Sequence, residues 1–143
     1  MTGVPDAALA ADSYLKLTGR PLLPEDKTAT WLYDAPFGLL VHDASADPLF
    51  VYANRTAQQM FGYRWDEFVG LPSRLSAGAQ DREERRVFME SVLRDGYADD
   101  YRGTRIRKDG HQFQLLEATV WNVLADDATV IGQAAAIWRW GDS

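Results

Sequence analysis

The chain has 143 residues, 46% hydrophobic and 25% charged, with a net charge of −6 and no cysteine. That length supports one full core and is short for two ordinary domains. Its acidic balance, with both signs mixed along the chain, argues against a nucleic-acid binder, because phosphate contacts need a surplus of Lys and Arg. Without cysteine there is no disulfide, thiolate metal site, cysteine nucleophile or cysteine-linked chromophore. The opening stretch MTGVPDAALAADSYLKL has neither a charged leader nor a long apolar core, and no run approaches the ~20 apolar residues of a membrane span. A cytoplasmic protein that touches no membrane is expected.

Asp6 to Leu17 predicts a helix, with an apolar side from Ala8, Leu9, Ala11, Tyr14, Leu15 and Leu17 and a stop at Gly19 and Pro21. Glu25 to Tyr33 predicts a second, short helix, ended by the pre-proline Ala35. Phe37 to Asp43 is the first strand, and Leu49 to Ala53 returns antiparallel after the Ala-Ser-Ala-Asp-Pro turn. Asn54 then caps a short helix: its side-chain oxygen can accept from an orphan amide of the first turn. Ala57, Met60 and Phe61 recur at helical spacing, and Gly62 closes that helix. Trp65 to Val69 reads as one helical turn, and LPSRLSAG as an irregular one. Asp81 opens the longest helix with Glu84 as its capping partner. Phe88, Met89, Val92 and Leu93 form its buried stripe, and Arg82, Glu83, Arg85, Arg86, Glu90 and Arg94 its solvated face. Tyr97 to Arg107 and His111 to Val123 flank a hairpin at Asp109-Gly110, and Thr129 to Trp140 is the last strand. The layout is α+β: a five-stranded antiparallel sheet with helices on one face and an N-terminal helical extension.

The strand–Asn–helix stretch VYANRTAQQMFGY resembles the centre of the PAS sensor fold. GRPL, LYDAP, HDASADPLFVYANRTA, WDEF, LPSRLSA, DDYRGTRI, ATVWNV and GQAA together resemble the MEKHLA family. This is a PAS-like domain found alone in bacteria and at the end of plant homeodomain–leucine zipper regulators. No homeodomain or zipper is present, so the chain is similar to the stand-alone bacterial type. The resemblance implies an extension over 1–35 and a PAS-like domain over 36–141. It also implies a ligand site, if any, between sheet and helices.

With a two-residue loop at Asp109-Gly110, Ile106 faces Phe113, Thr104 faces Leu115 and Arg102 faces Glu117. Matching the strands to flavin-binding light-oxygen-voltage domains turns that face inward, with Leu40, His42, Thr119, Trp121, Val130, Gly132, Ala134 and Ala136. The candidate ligand-binding residues are His42, Tyr52, Arg74, Phe88, Arg102, Leu115, Glu117, Thr119, Trp121 and Ala134. Arg102, Glu117 and His42 form the polar anchor, and Arg74 is a second cation at the mouth. The same matching sets Ser73 where those domains carry their reactive cysteine and Arg74 where an arginine holds the flavin phosphate. It sets Pro72, Thr104, Leu115 and Ala134 where they carry amides, so no flavin is expected. No haem is expected either, for want of a helix histidine, and two histidines without cysteine make a poor metal site. His42 and Asp43 are strand neighbours on opposite faces and make no dyad. The chain is therefore expected to be no enzyme and to carry no cofactor. Two readings remain open: a small-molecule sensor, and an interaction module with a packed core. For the outer sheet face, Leu39, Val41, Leu116, Val120, Ile131 and Ile137 suggest a homodimer or a regulatory partner, or cover by the N-terminal helix.

Overall fold

Long alternating strands in the last third of the sequence supply most of a sheet, and the Asn54 segment fastens its other edge. The structure is a computed structural model that describes residues 6–77 and 82–142. Strands β1 (Gly38–Asp43), β2 (Phe50–Ala53), β3 (Tyr97–Ile106), β4 (Gln112–Leu124) and β5 (Val130–Asp142) pair antiparallel in the order β2-β1-β5-β4-β3. Helices α1 (Ala7–Thr18), α2 (Arg55–Phe61), α3 (Trp65–Phe68) and α4 (Arg82–Asp95) pack around it. The expected helix over Glu25–Tyr33 is instead a 3-10 turn at Ala29–Asp34, and LPSRLSAG forms another at Ser73–Ser76. Asp81, the expected cap of α4, lies outside the described residues.

The sheet separates two apolar layers. Under α2, α3 and α4 lie Leu40, Phe50, Met60, Phe61, Phe68, Val92, Phe113, Leu115, Val120 and Ile137. On the opposite face α1, the 3-10 turn at Ala29–Asp34 and the chain between them form one layer with Leu39, Val41, Trp121, Val123 and Ala136, α1 lying against β4. Trp121 Nε1 donates to the Ala10 carbonyl (2.9 Å), the Leu124 amide donates to Ser13 Oγ (2.8 Å), and Tyr14 meets Trp121 edge-on at 4.8 Å. Within this chain much of the outer face is thus covered by its own N-terminal segment, the helix together with the 3-10 turn and the chain between them. Val120 and Ile137, expected on that face, lie on the helix side, and Leu116 is exposed.

Two local features reset which side chains face the helices. The hairpin has a three-residue loop: the Arg107 amide donates to the His111 carbonyl (2.8 Å), and Gly110 takes φ +92. A left-handed glycine is what such a loop requires. Thr104 therefore faces Gln114 and Arg105 faces Phe113, one residue off the expected register. Because side chains alternate, that slip turns Arg105 and Tyr101 inward and Arg102 outward. The second feature is a bulge in β4, where Leu115 pairs with Trp140, Glu117 with Arg139 and Ala118 with Ile137. Phe113 and Leu115 face the helices before it, and Ala118 and Val120 after it. Trp121 is thereby turned to α1, and a second shift, an extra residue at Trp138 of β5, puts Ala134 and Ala136 in the same layer.

Asn54 ties the front edge. Its Oδ1 accepts from the amides of Leu39 (2.9 Å) and Ala57 (3.0 Å), and its Nδ2 donates to the carbonyls of Leu32 and Phe37, both at 2.9 Å. The residue is fully buried. Asn54→Ala strands two amides and two carbonyls away from water, so urea titration should show a loss of about 3 kcal/mol or more. A loss under about 1 kcal/mol, the size of an ordinary cap, would mean that water replaces the amide.

Candidate functional site

A groove of about 570 Å³ opens between the β1–β2 loop, α4 and the start of β5. The Asp43 carboxylate builds its loop wall by accepting from the amides of Ser45 (3.2 Å) and Leu49 (3.0 Å) and from Ser45 Oγ (2.6 Å). Ala46, Pro48, Met89, Leu93 and Val130 give the groove an apolar side. Leu93, expected in the buried stripe of α4, is 55% exposed there. Behind the groove, beneath the helices, an interior cavity of only about 30 Å³ remains, about the share of one water molecule. His42, Arg85, Met89 and Gln133 border both spaces.

The polar groups at this junction are unevenly satisfied. His42 Nδ1 lies 2.8 Å from the Asp43 carbonyl, the geometry of a neutral ring donating to the backbone. Burial lowers its pKa to about 4, and the nearby Arg85 adds to the effect against that hydrogen bond. Gln133 Nε2 donates to the Met89 carbonyl and to Asn122 Oδ1, both at 3.1 Å. Asn122 Nδ2 donates in turn to the carbonyls of Val92 and Leu93, at 3.1 and 3.2 Å. Asn122 thus caps the end of α4, and Gln133 holds the helix one turn earlier, at Met89. Arg105 is buried and donates to the Thr104 carbonyl (2.9 Å) and the Tyr101 hydroxyl (2.5 Å). Arg85 Nε is buried with no hydrogen-bond partner among the described residues. Burial and then Arg105 lower the Arg85 pKa to about 10, so it stays charged at neutral pH.

The structure disperses the residues singled out from sequence. His42 and Arg74 line the groove, and Arg74 Nε donates to Asp47 at 3.2 Å. Leu115 and Ala134 border the interior cavity, but Ala134 packs in the α1 layer, and Gln133 takes the helix-facing place on β5. Phe88 packs against Tyr101 at 4.3 Å and shares a separate hollow with Arg102. Tyr52 packs edge-on against Trp65 (5.6 Å). Thr119 and Trp121 turn away from α4: Thr119 Oγ1 donates to Asp99 and accepts from Trp138 Nε1, while Trp121 bonds Ala10. The Arg102–Glu117 anchor does not form. Arg102 is exposed, and Glu117 accepts from Arg139 Nε at 3.1 Å. The slipped hairpin and the bulge are the physical reason. The sequence reading missed Arg85, Arg105 and Gln133.

A family model described as the MEKHLA domain matches residues 6–142. No curated protein matches the chain. Among solved structures it is similar to the PAS domain of a protein from Colwellia psychrerythraea, with a TM-score of 0.69 and 16% identity over 80% of this chain and 92% of that one. The LOV domain of a blue-light activated histidine kinase from Erythrobacter litoralis gives 0.61 and 21% over 76% and 96%. An RNA-binding light-oxygen-voltage receptor gives 0.68 and 22%, over 87% of this chain but 36% of that one. At such identities the likeness establishes the fold.

His42 makes stability depend on pH. Its pKa is about 4 folded against 6.5 unfolded, so its contribution is whole above pH 6.5 and is lost as pH falls toward 4. Between pH 7 and pH 5 the group costs the wild type about 2 kcal/mol. His42→Gln should lose that much less across the same interval in urea titrations at the two pH values. Equal losses in both proteins would mean that His42 titrates freely.

Proposed function

The chain belongs to the MEKHLA domain family, and we propose that it is a sensory or regulatory module binding a small molecule in the groove beside α4. The observation that carries this reading is the groove itself. Its volume of about 570 Å³ lies within the span of small-molecule sites, and it joins an apolar side to a few polar groups. Gln133 borders that space and also bonds α4 at the Met89 carbonyl, so occupancy is linked to that helix. On this reading the protein is not an enzyme. It works in the cytoplasm and passes its state to a second copy or a regulatory protein. The hydrogen bonding supports a non-catalytic role: His42 pairs with the Asp43 main chain, while the carboxylate is taken up by its own loop.

A second reading, an interaction module without a ligand, is favoured by one observation. The space under the helices, where PAS folds hold ligands, is reduced to about 30 Å³ by packed side chains. Native mass spectrometry of the purified full chain separates the two. The sensor reading expects an added mass that is lost on unfolding. Bare monomer mass, with no small molecule shifting groove resonances in NMR, would leave the interaction module.

A further inference from the structure

Three arginines line the groove, and two are neutralised within the chain. Arg74 pairs with Asp47 at 3.2 Å, and Arg86 pairs with Glu83 at 2.6 Å and Glu90 at 2.5 Å. The fourth groove carboxylate, Asp43, is engaged by Ser45 and Leu49. Arg85 is the exception: among the described residues it forms no ion pair, and its Nε is buried without a partner. The cation nearest it in charge effect is Arg105, which is buried and bonded only to neutral oxygens. The half-buried Arg85 guanidinium, with its Nε out of reach of water, and the buried Arg105 guanidinium thus share a wall with a neutral histidine. Buried charge is normally paired, because leaving water costs several kcal/mol per ion.

We infer that Arg85 is the head-group site for a small organic monoanion, a carboxylate whose apolar body lies along Met89, Leu93 and Val130. The inference rests on the ligand-binding reading above. A carboxylate suits a guanidinium because two parallel N–H donors can meet its two oxygens. The four carboxylates around the groove disfavour a dianion, so a phosphate-like head fits less well. The exposed Leu93 gains a role as the surface against which an apolar tail loses water.

Octanoate, 1-octanol and inorganic phosphate are titrated into the full-length protein and followed by amide and side-chain shifts in heteronuclear NMR. The inference expects saturable octanoate binding at Arg85 and Gln133, with octanol and phosphate each weaker by about ten-fold or more. Arg85→Gln should weaken octanoate by the same factor. Leu93→Glu, at a position more than half exposed, should weaken it too. Octanol equal to octanoate, or unchanged affinity in Arg85→Gln, would keep a ligand groove and overturn the anion. Phosphate binding without octanoate binding would overturn the carboxylate. No response to any probe, with an added mass in native spectrometry, would overturn the anion alone. No response and no added mass would overturn the ligand-binding reading with it.

Discussion

The Asn54 carboxamide satisfies four backbone groups drawn from the 3-10 turn, the start of β1 and the first turn of α2. Asparagine suits the position because it offers two donors and two acceptor lone pairs in one short plane. An aspartate would set negative oxygens against the Leu32 and Phe37 carbonyls, and a glutamine would be one methylene too long. Through this residue the edge β1–β2 pair is locked to the helices, and with it the facing of every β1 side chain. Leu40 and His42 point toward the groove side, while Leu39 and Val41 point to the opposite layer, which the N-terminal segment covers.

Much of this was legible in the sequence. The element order, the Asn54 cap, the Gly62 stop and the five-strand sheet all follow from local chemistry acting within a few residues. Facing was harder. In a hairpin it depends on one residue of loop length, and Lys108-Asp109-Gly110 admits either count by composition alone. The β4 bulge at Leu116 leaves no local mark, since LLEATVW alternates acceptably in both registers. A single-residue error in each place exchanged Arg102 for Arg105 and Ala134 for Gln133, and so displaced most of the expected ligand wall.

Arg85 was hidden for a different reason. A charged residue amid Arg82, Glu83, Glu84 and Arg86 reads as solvated surface. Yet Arg85 stands four residues before Met89 and seven before Val92, the spacing of one helix face. Helical geometry alone aims it at the sheet together with the apolar stripe. Period outweighed polarity here, and a reading that ranked them in that order would have found the residue.

Arg85, half-buried with its Nε out of reach of water, keeps that place only if α4 cannot roll to release it, and the end of that helix explains why it does not. Asn122 from β4 and Gln133 from β5 donate to the carbonyls of Val92, Leu93 and Met89. Gly96, at φ +99, lets its own amide return to the Val92 carbonyl at 2.7 Å while its carbonyl accepts from the Asn122 amide at 2.9 Å. Helix ends usually leave such groups to water. Here they are spent on the sheet, and the helix is held in rotation as well as position. A long guanidinium side chain on a freely turning helix would swing its head into solvent. On this one, the face carrying Met89 and Val92 must stay down for the core to remain closed, and Arg85 stays down with it. The groove at its side is then the open route by which its charge can meet a partner.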